Sequence, residues 1–203
     1  GCTTVICSDK TGTLTKGEMT VRRVFVSGRT VEVSGAGYAP QGDFKGAAGA
    51  SPLADATLGL LLKAGVLCND ASLDEAEGKW FVKGDPTEGS LIVAAAKAGL
   101  NTVEIRIQNE RVEEVPFSSE RKRMTTIHRL EDGRVFAFMK GAPELVLERC
   151  ARVMIDGEVR DLEPQDRTAV QEANAAMAGD ALRVLGFACR ALTAGVETNV
   201  EAL

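Results

Sequence analysis

The 203-residue chain lacks the features that mark several large classes of protein. Its five cysteines include no Cys-x-x-Cys pair, so the sequence favours reduced thiols in a cytosolic setting over a disulfide framework or a zinc site. Lys and Arg number 24 against 29 Asp and Glu, and the formal net charge of −5 gives a nucleic-acid role no electrostatic support. The basic run Arg121-Lys122-Arg123 is short and lies in a mixed stretch.

Long apolar segments and glycine-rich phosphate loops are also missing. The longest apolar run, 91–96, is far below the ~20 residues that a membrane span requires, so we expect no direct membrane contact. Neither GxxxxGK nor GxGxxG occurs, which excludes the two common glycine cradles for nucleotides. A nucleotide bound to this chain would therefore depend on a stacking pocket with scattered cations.

The hydrophobic pattern predicts a mostly antiparallel β-sheet with helices packed on it. Tight turns such as Asp132-Gly133 separate consecutive strand-like segments, which indicates hairpins. Helical spacing of apolar residues, with prolines in the first turns, predicts four helices, at about 51–68, 85–99, 142–150 and 163–177. Ser51 is expected to cap the first of them. This combination is typical of the α+β class.

The most informative motif is Asp9-Lys10-Thr11-Gly12-Thr13-Leu14-Thr15. It follows the apolar, β-branched run 3–8, which predicts a buried strand. An acid at the carboxyl end of such a strand lies where open α/β sheets place ligands. Glycine lets the backbone approach a phosphate, and the hydroxyl groups beside it can donate to phosphate oxygens. The motif therefore indicates an aspartate that accepts a phosphoryl group as a covalent nucleophile.

The heptad resembles the phosphorylation motif of the P-type ion-pumping ATPases. This resemblance makes Asp9 the residue that becomes an aspartyl phosphate, with Lys10, Thr11, Gly12 and Thr13 forming the phosphate loop. It also implies Mg²⁺ contacts from Asp9 and from the main-chain carbonyl of Thr11. Many haloacid-dehalogenase-like relatives carry a second aspartate at the position of Thr11. Without that acid nearby, we expect the phosphoenzyme to hydrolyse slowly.

Four further segments resemble the nucleotide-binding domain of the same family, most closely its type II, calcium-pump-like members. They are KGDPTEG at 83–89, VPFSSERKRM at 115–124, MKGAPE at 139–144 and LRVLGFA at 182–188. The resemblance implies an ATP site lined by Thr87, Glu88, Phe117, Lys122, Lys140, Gly141 and Arg183. In this site Phe117 would stack on adenine and Lys122 would lie near the phosphates. Relatives often carry a basic residue at the position of Ser119, which is absent here.

Each of these residues also has a purely structural interpretation. Asp85 can serve as a helix cap, with Glu88 completing a capping box. Phe117 can be a core aromatic residue, and Lys140 can extend its charge from an apolar strand face. The only histidine, His128, lies among polar residues and is expected on a solvated face.

The resemblance covers nearly the whole chain and divides it in two. Residues 1–15 correspond to the first strand and phosphorylation loop of a severed phosphorylation domain, and residues 16–203 to a nucleotide-binding domain. A strand separated from its own sheet is expected to be disordered or to pair opportunistically. The sequence holds no TGE actuator motif, no GDGxND hinge motif and no membrane helix. The expected partners are therefore the remaining phosphorylation, actuator and transmembrane domains of a parent pump.

The sequence thus predicts the ATP-binding domain of a cation-transporting P-type ATPase, on the cytoplasmic side of the membrane. In the parent pump it would deliver the γ-phosphate of Mg·ATP to Asp9, and the chain alone would be a monomer with little turnover. Two alternatives stay open. A soluble phosphohydrolase with a cap domain would need a downstream lysine and acid pair, which we do not find. A non-catalytic partner-binding module would show no ATP-dependent change around Phe117.

Overall fold

The computed structural model describes residues 2–9, 18–49 and 51–192, the first of these ranges by its backbone only. The strands are β1 (Cys2–Asp9), β2 (Thr20–Val26), β3 (Arg29–Val33), β4 (Phe44–Lys45), β5 (Ser72–Ala76), β6 (Lys79–Lys83), β7 (Asn109–Ser118), β8 (Arg123–Leu130), β9 (Val135–Gly141), β10 (Arg152–Ile155), β11 (Glu158–Asp161) and β12 (Leu182–Leu192). The helices are α1 (Ala56–Leu67), α2 (Pro86–Lys97), α3 (Thr102–Gln108), α4 (Pro143–Glu148) and α5 (Pro164–Gly179), and a 3-10 turn spans Pro52–Ala54.

Eight of the strands form one antiparallel sheet in the order β4-β3-β2-β1-β12-β9-β8-β7. The pairs β5–β6 and β10–β11 form two separate hairpins. Local turn chemistry explains the hairpins: between β2 and β3, Ser27 and Gly28 have φ values of 50° and 73°, as a two-residue hairpin turn requires. The antiparallel sheet with its packed helices confirms the predicted α+β class.

The two faces of the sheet pack against different helices. On one face, Val24, Phe138 and Phe187 join a core cluster with the apolar side of α1 and α2. On the other face, Val184 packs with residues of α4 and α5, and Met139 packs with α4. The alternation of Phe138 with Met139 along β9 follows from the period of two in a β-strand.

Strand β1 lies between β2 and β12 in the sheet. Its register pairs Asp9 with Thr20 of β2 and with Leu182 of β12. The strand thus has antiparallel neighbours on both sides, and the peptide unit of Asp9 lies beside the start of β12. The assignment of residues 1–15 to a separate phosphorylation domain stays a prediction.

Helix α1 begins later than predicted. Asp55, not Ser51, caps it: Asp55 Oδ1 accepts from the backbone N–H groups of Thr57 at 3.1 Å and Leu58 at 3.0 Å. Ser51 makes no side-chain cap bond. Burial acts to raise the pKa of Asp55, but the Leu58 N–H and the Arg29 guanidinium outweigh it and hold the pKa below its usual value. A paired, buried acid is a stronger cap than an exposed serine here because it also neutralises Arg29.

One further expectation from the sequence was wrong, and one helix was not predicted. His128 is buried, at 2% exposure, and its Nδ1 lies 3.0 Å from the Asn109 carbonyl oxygen, so it does not lie on a solvated face. The segment 102–108, for which no element was predicted, forms α3, capped by Asn101, whose Oδ1 accepts from the Glu104 N–H at 3.1 Å. Asn101 could have been recognised in the sequence as a helix cap. The helix is only two turns long, however, so the periodic pattern that follows the cap is short.

Candidate functional site

The start of α2 presents the first two candidate residues. Asp85 caps the helix, since its Oδ1 accepts from the N–H groups of Thr87 at 2.8 Å and Glu88 at 3.2 Å. Pro86 takes the first helical position, where its missing N–H costs nothing. The Glu88 carboxylate points away from its own helix and accepts from the Asp70 N–H at 3.0 Å. The helix start therefore fixes Thr87 and frees the Glu88 carboxylate for the site.

A buried ion pair joins α2 to the sheet. Lys140, near the end of β9, is 8% exposed, and its ammonium forms a salt bridge with the Glu88 carboxylate. The same Nζ donates to the Cys68 carbonyl oxygen at 2.6 Å. Lys140 stands opposite Met124 and Phe187 in the neighbouring strands, so it lies on the core face rather than at the sheet surface. Lys140 and Glu88 thus neutralise each other where water has little access.

A second contact joins α2 to β12. The Arg183 guanidinium donates to Thr87 Oγ1 at 3.2 Å, and the Thr87 hydroxyl in turn contacts Met19 Sδ at 3.4 Å. Thr87 is buried, whereas Arg183 is exposed, so the arginine can still bind a ligand from solvent. Arg183 follows Leu182, the partner of Asp9 in β1.

Phe117, Lys122 and Gly141 lie along the same part of the sheet. Phe117 is 61% exposed near the end of β7, at a register irregularity between Val115 and Ser118, so it is not a core residue. Lys122 occupies the turn to β8 with a φ of 49° and an exposed side chain. A Cβ added to Gly141 would lie 2.5 Å from the Lys122 carbonyl oxygen, so only glycine allows this close approach of the two strands.

The phosphate-loop predictions lie outside the described side chains. Lys10, Thr11, Gly12 and Thr13 fall between the described ranges, and Asp9 is described by its backbone only. The Mg²⁺ contacts predicted for Asp9 and Thr11 therefore stay predictions. Within the described ranges no group of three or more His, Cys, Asp or Glu side chains could hold a metal ion.

The loop after α1 supports the ion pair and was missed as part of the site. Asn69, 1% exposed, donates through Nδ2 to the carbonyl oxygens of Glu88 and Gly65, both at 2.9 Å. Arg106 and Arg111 hold the loop from outside by donating to the Asn69 carbonyl at 3.1 and 2.6 Å. The signal in the sequence was an asparagine just after a helix, a common site of side-chain to backbone bonding.

Chemically, these residues suit recognition of a flat, charged ligand. An exposed aromatic ring offers a stacking surface, a recessed ion pair offers donors and acceptors, and Arg183 and Lys122 offer positive charge at the surface. Cys68 does not extend this chemistry, because burial raises the pKa of its thiol despite the nearby Lys140 ammonium. The chemistry of these residues therefore suits ligand binding rather than catalysis by a nucleophile and its base.

Comparison with known proteins defines the class. The family model of the P-type ATPase cytoplasmic domain N matches residues 57–202. This chain belongs to that family, and the resemblance seen in its motifs is confirmed. Among the described residues no helix has both the length and the apolar character needed to cross a bilayer.

Individual relatives are cation pumps by name. The chain is 42% identical to the cation-transporting ATPase pma1 of Synechocystis sp. over 93% of its own length and 21% of the relative's. It is 36% identical to a calcium-transporting ATPase of Bacillus subtilis, over 99% of the chain and 23% of the relative. The calcium-transporting ATPase type 2C member 1 of Bos taurus is 40% identical over 93% of the chain and 20% of the relative. The chain thus spans about a fifth of the length of these relatives.

Proposed function

We propose that this chain is the ATP-binding part of a larger cation-transporting pump and that it delivers the γ-phosphate of ATP to Asp9. The observation that supports this most is the grouping around the start of α2. The Glu88–Lys140 pair and the Thr87–Arg183 contact both form there. Both contacts join residues that are distant in the sequence. A ligand site is formed in this way, whereas a helix cap involves only neighbouring residues.

Each residue of the site has a role in this proposal. The adenine ring stacks on Phe117, and the Glu88 carboxylate accepts a hydrogen bond from the exocyclic amino group. Lys140 holds the carboxylate in place through the ion pair. Arg183 and Lys122 face the triphosphate, since a guanidinium and an ammonium are the side chains that bind phosphate best.

Phosphoryl transfer requires a second element. The triphosphate extends from the adenosine site toward Asp9, whose carboxylate attacks the γ-phosphorus in line while ADP leaves. Magnesium, assigned by the motif to Asp9 and the Thr11 carbonyl, would screen the phosphate charge. In the parent protein the aspartyl phosphate would then drive cation transport through the remaining phosphorylation, actuator and transmembrane domains. The isolated chain should bind ATP as a monomer with little turnover.

An ATP titration followed by backbone amide chemical shifts tests the proposal. We expect saturable shifts at Thr87, Phe117, Lys140 and Arg183. Replacement of Phe117 by Ala should weaken binding roughly 5- to 150-fold, the equivalent of about 1–3 kcal/mol of stacking. Phosphate release from ATP should stay at background in the same samples.

The matched control is Phe81→Ala, which removes another partly exposed phenylalanine, in the β5–β6 hairpin. It should leave ATP affinity unchanged. The absence of shifts at millimolar ATP, or equal loss in both variants, would overturn the proposed site and favour a partner-binding module. Turnover abolished by Asp9→Asn would contradict the expected inactivity of the isolated chain.

A further inference from the structure

Three arginines near α4 influence one another, since Arg123 contacts the Arg121 carbonyl and the charges of Arg149 and Arg121 both act to lower the pKa of Arg123. Arg121 precedes β8, Arg123 is its first residue, and Arg149 is the C-terminal cap of α4. None of the ion pairs formed within the described ranges involves any of them. Clustered guanidinium groups repel one another, so such a group is normally balanced by an anion.

The strand register places Arg123 on the opposite face of the sheet from Lys140 and Arg183 of the candidate nucleotide site. Arg123 stands opposite Gly141 in β9, and Gly141 stands opposite Gly186 in β12. A Cβ on Gly186 would lie 3.0 Å from the Cα of Pro143, the first residue of α4. The row of paired residues Arg123, Gly141 and Gly186 therefore faces α4. The next residues, with Met124 opposite Lys140, face the other way, because side chains alternate along a strand.

Part of the hydrogen-bonding capacity of Arg121 and Arg123 is unused among the described residues. Arg123 is 7% exposed, and its Nη1 donates to the Arg121 carbonyl oxygen at 3.3 Å, while its Nε has no partner among the described residues. The Nε and Nη2 of Arg121 are likewise buried without a partner there. Burial, and then repulsion from Arg149 and Arg121, lowers the pKa of Arg123. A buried cation with unmade bonds is costly unless something supplies the missing acceptors.

We infer that Arg121, Arg123 and Arg149 bind an oxyanion of the phosphate class at a site separate from the proposed ATP site. The Nε–Nη2 edge of a guanidinium matches two oxygens of a phosphate group, and three such groups supply more positive charge than one dianion carries. The bound oxyanion would accept the unmade bonds of Arg121 and Arg123 and remove the repulsion among the three. This inference does not depend on ATP binding.

The test is a titration of the 203-residue chain with inorganic phosphate. The Nε–H correlations of Arg121 and Arg123 report directly on the cluster, and sodium chloride at matched ionic strength serves as the reference. We expect saturable shifts of both signals with an apparent Kd of about 1–10 mM. Equal shifts with chloride, or none at about 50 mM phosphate, would overturn the inference.

Variants separate this site from the ATP site. Arg123→Gln should weaken phosphate binding about tenfold or more, and Arg123→Lys should restore part of it, because lysine keeps the charge but not the fork. Should the buried substitution disturb folding, Arg149→Gln changes an exposed residue and should weaken binding about threefold or more.

Arg183→Gln, on the opposite face, is the matched control. It should impair ATP binding and leave the phosphate response of Arg121 and Arg123 intact. If Arg183→Gln abolished that response, phosphate would be entering the nucleotide site and the separate site would not exist. If ATP binding failed while the phosphate response persisted, the proposed function would fall and this inference would stand.

Discussion

The Glu88–Lys140 ion pair makes the sharpest energetic prediction. Its side chains are only 16% and 9% exposed, and Lys140 has the Cys68 carbonyl as its other acceptor. Glu88→Ala leaves a buried ammonium with one neutral acceptor. Lys140→Met leaves a buried carboxylate supported by the Asp70 N–H. Breaking one side of a buried pair strands the other charge, so each single change should cost about 2–4 kcal/mol.

The double variant should cost little more than either single one. After one substitution, the second removes the buried charge that the first left unpaired, so the two effects are not additive. The coupling free energy should be about 2 kcal/mol. Urea unfolding of the four proteins measures this, with an unchanged denaturant slope as the check that the native fold is retained. The surface pair Arg129–Glu110, with side chains 58% and 67% exposed, is the matched control and should show coupling of about 0.5 kcal/mol or less.

Additive effects would refute the reasoning. If the double variant equalled the sum of the singles within about 0.5 kcal/mol, Glu88 and Lys140 would not depend on each other in the folded chain. The proposed role of Lys140 in holding the Glu88 carboxylate would then have no energetic basis.

Two other predictions concern stability. Gly141→Ala should lower the free energy of unfolding in urea by about 1–3 kcal/mol, because the new Cβ would lie 2.6 Å from Arg123 Cβ. Gly59→Ala, in open space within α1, is the control and should raise the free energy of unfolding by up to about 1 kcal/mol. Equal effects of the two substitutions would contradict the close approach at Gly141. Burial lowers the pKa of His128 despite its bond to the Asn109 carbonyl, so the unfolded chain binds more protons and stability is lost as pH falls below the ordinary histidine value of about 6.5. Because His128 is the only histidine, His128→Gln should flatten the stability profile between about pH 7.5 and 5.5, and an unchanged slope would show that other groups cause it.

Much of the fold followed from local patterns. The turns Ser27-Gly28 and Asp156-Gly157 each connect the two strands of a hairpin, and their residues have left-handed backbone conformations. Ser, Asp and Gly are residue types that indicate such turns in a sequence. Asp85 and Pro86 marked the start of α2 correctly. Ser51 misled because a serine before proline is a good local cap, but burial of Asp55 against Arg29 favours a later start.

Sequence motifs nominated the residues of the candidate site, but no motif predicted how they are arranged. The motifs singled out Thr87, Glu88, Lys140 and Arg183, and their roles in ATP binding stay predictions. No pattern indicated that Glu88 would pair with Lys140, because the interaction depends on how the chain brings the start of α2 beside the end of β9. Asn69 was not assigned to the site for the same reason, since its amide joins α1 to α2.

The sequence by itself determined the family, the α+β class and the positions of most elements, because turn residues, caps and periodicity act over a few residues. Only the tertiary structure decided that Lys140 would be neutralised by a carboxylate 52 residues away and that Arg183 would reach a hydroxyl 96 residues away. It also decided that Arg123 would face α4 while Lys140 faces α2. These outcomes depend on strand register and on which helix covers which face, and both are set by packing of the whole chain.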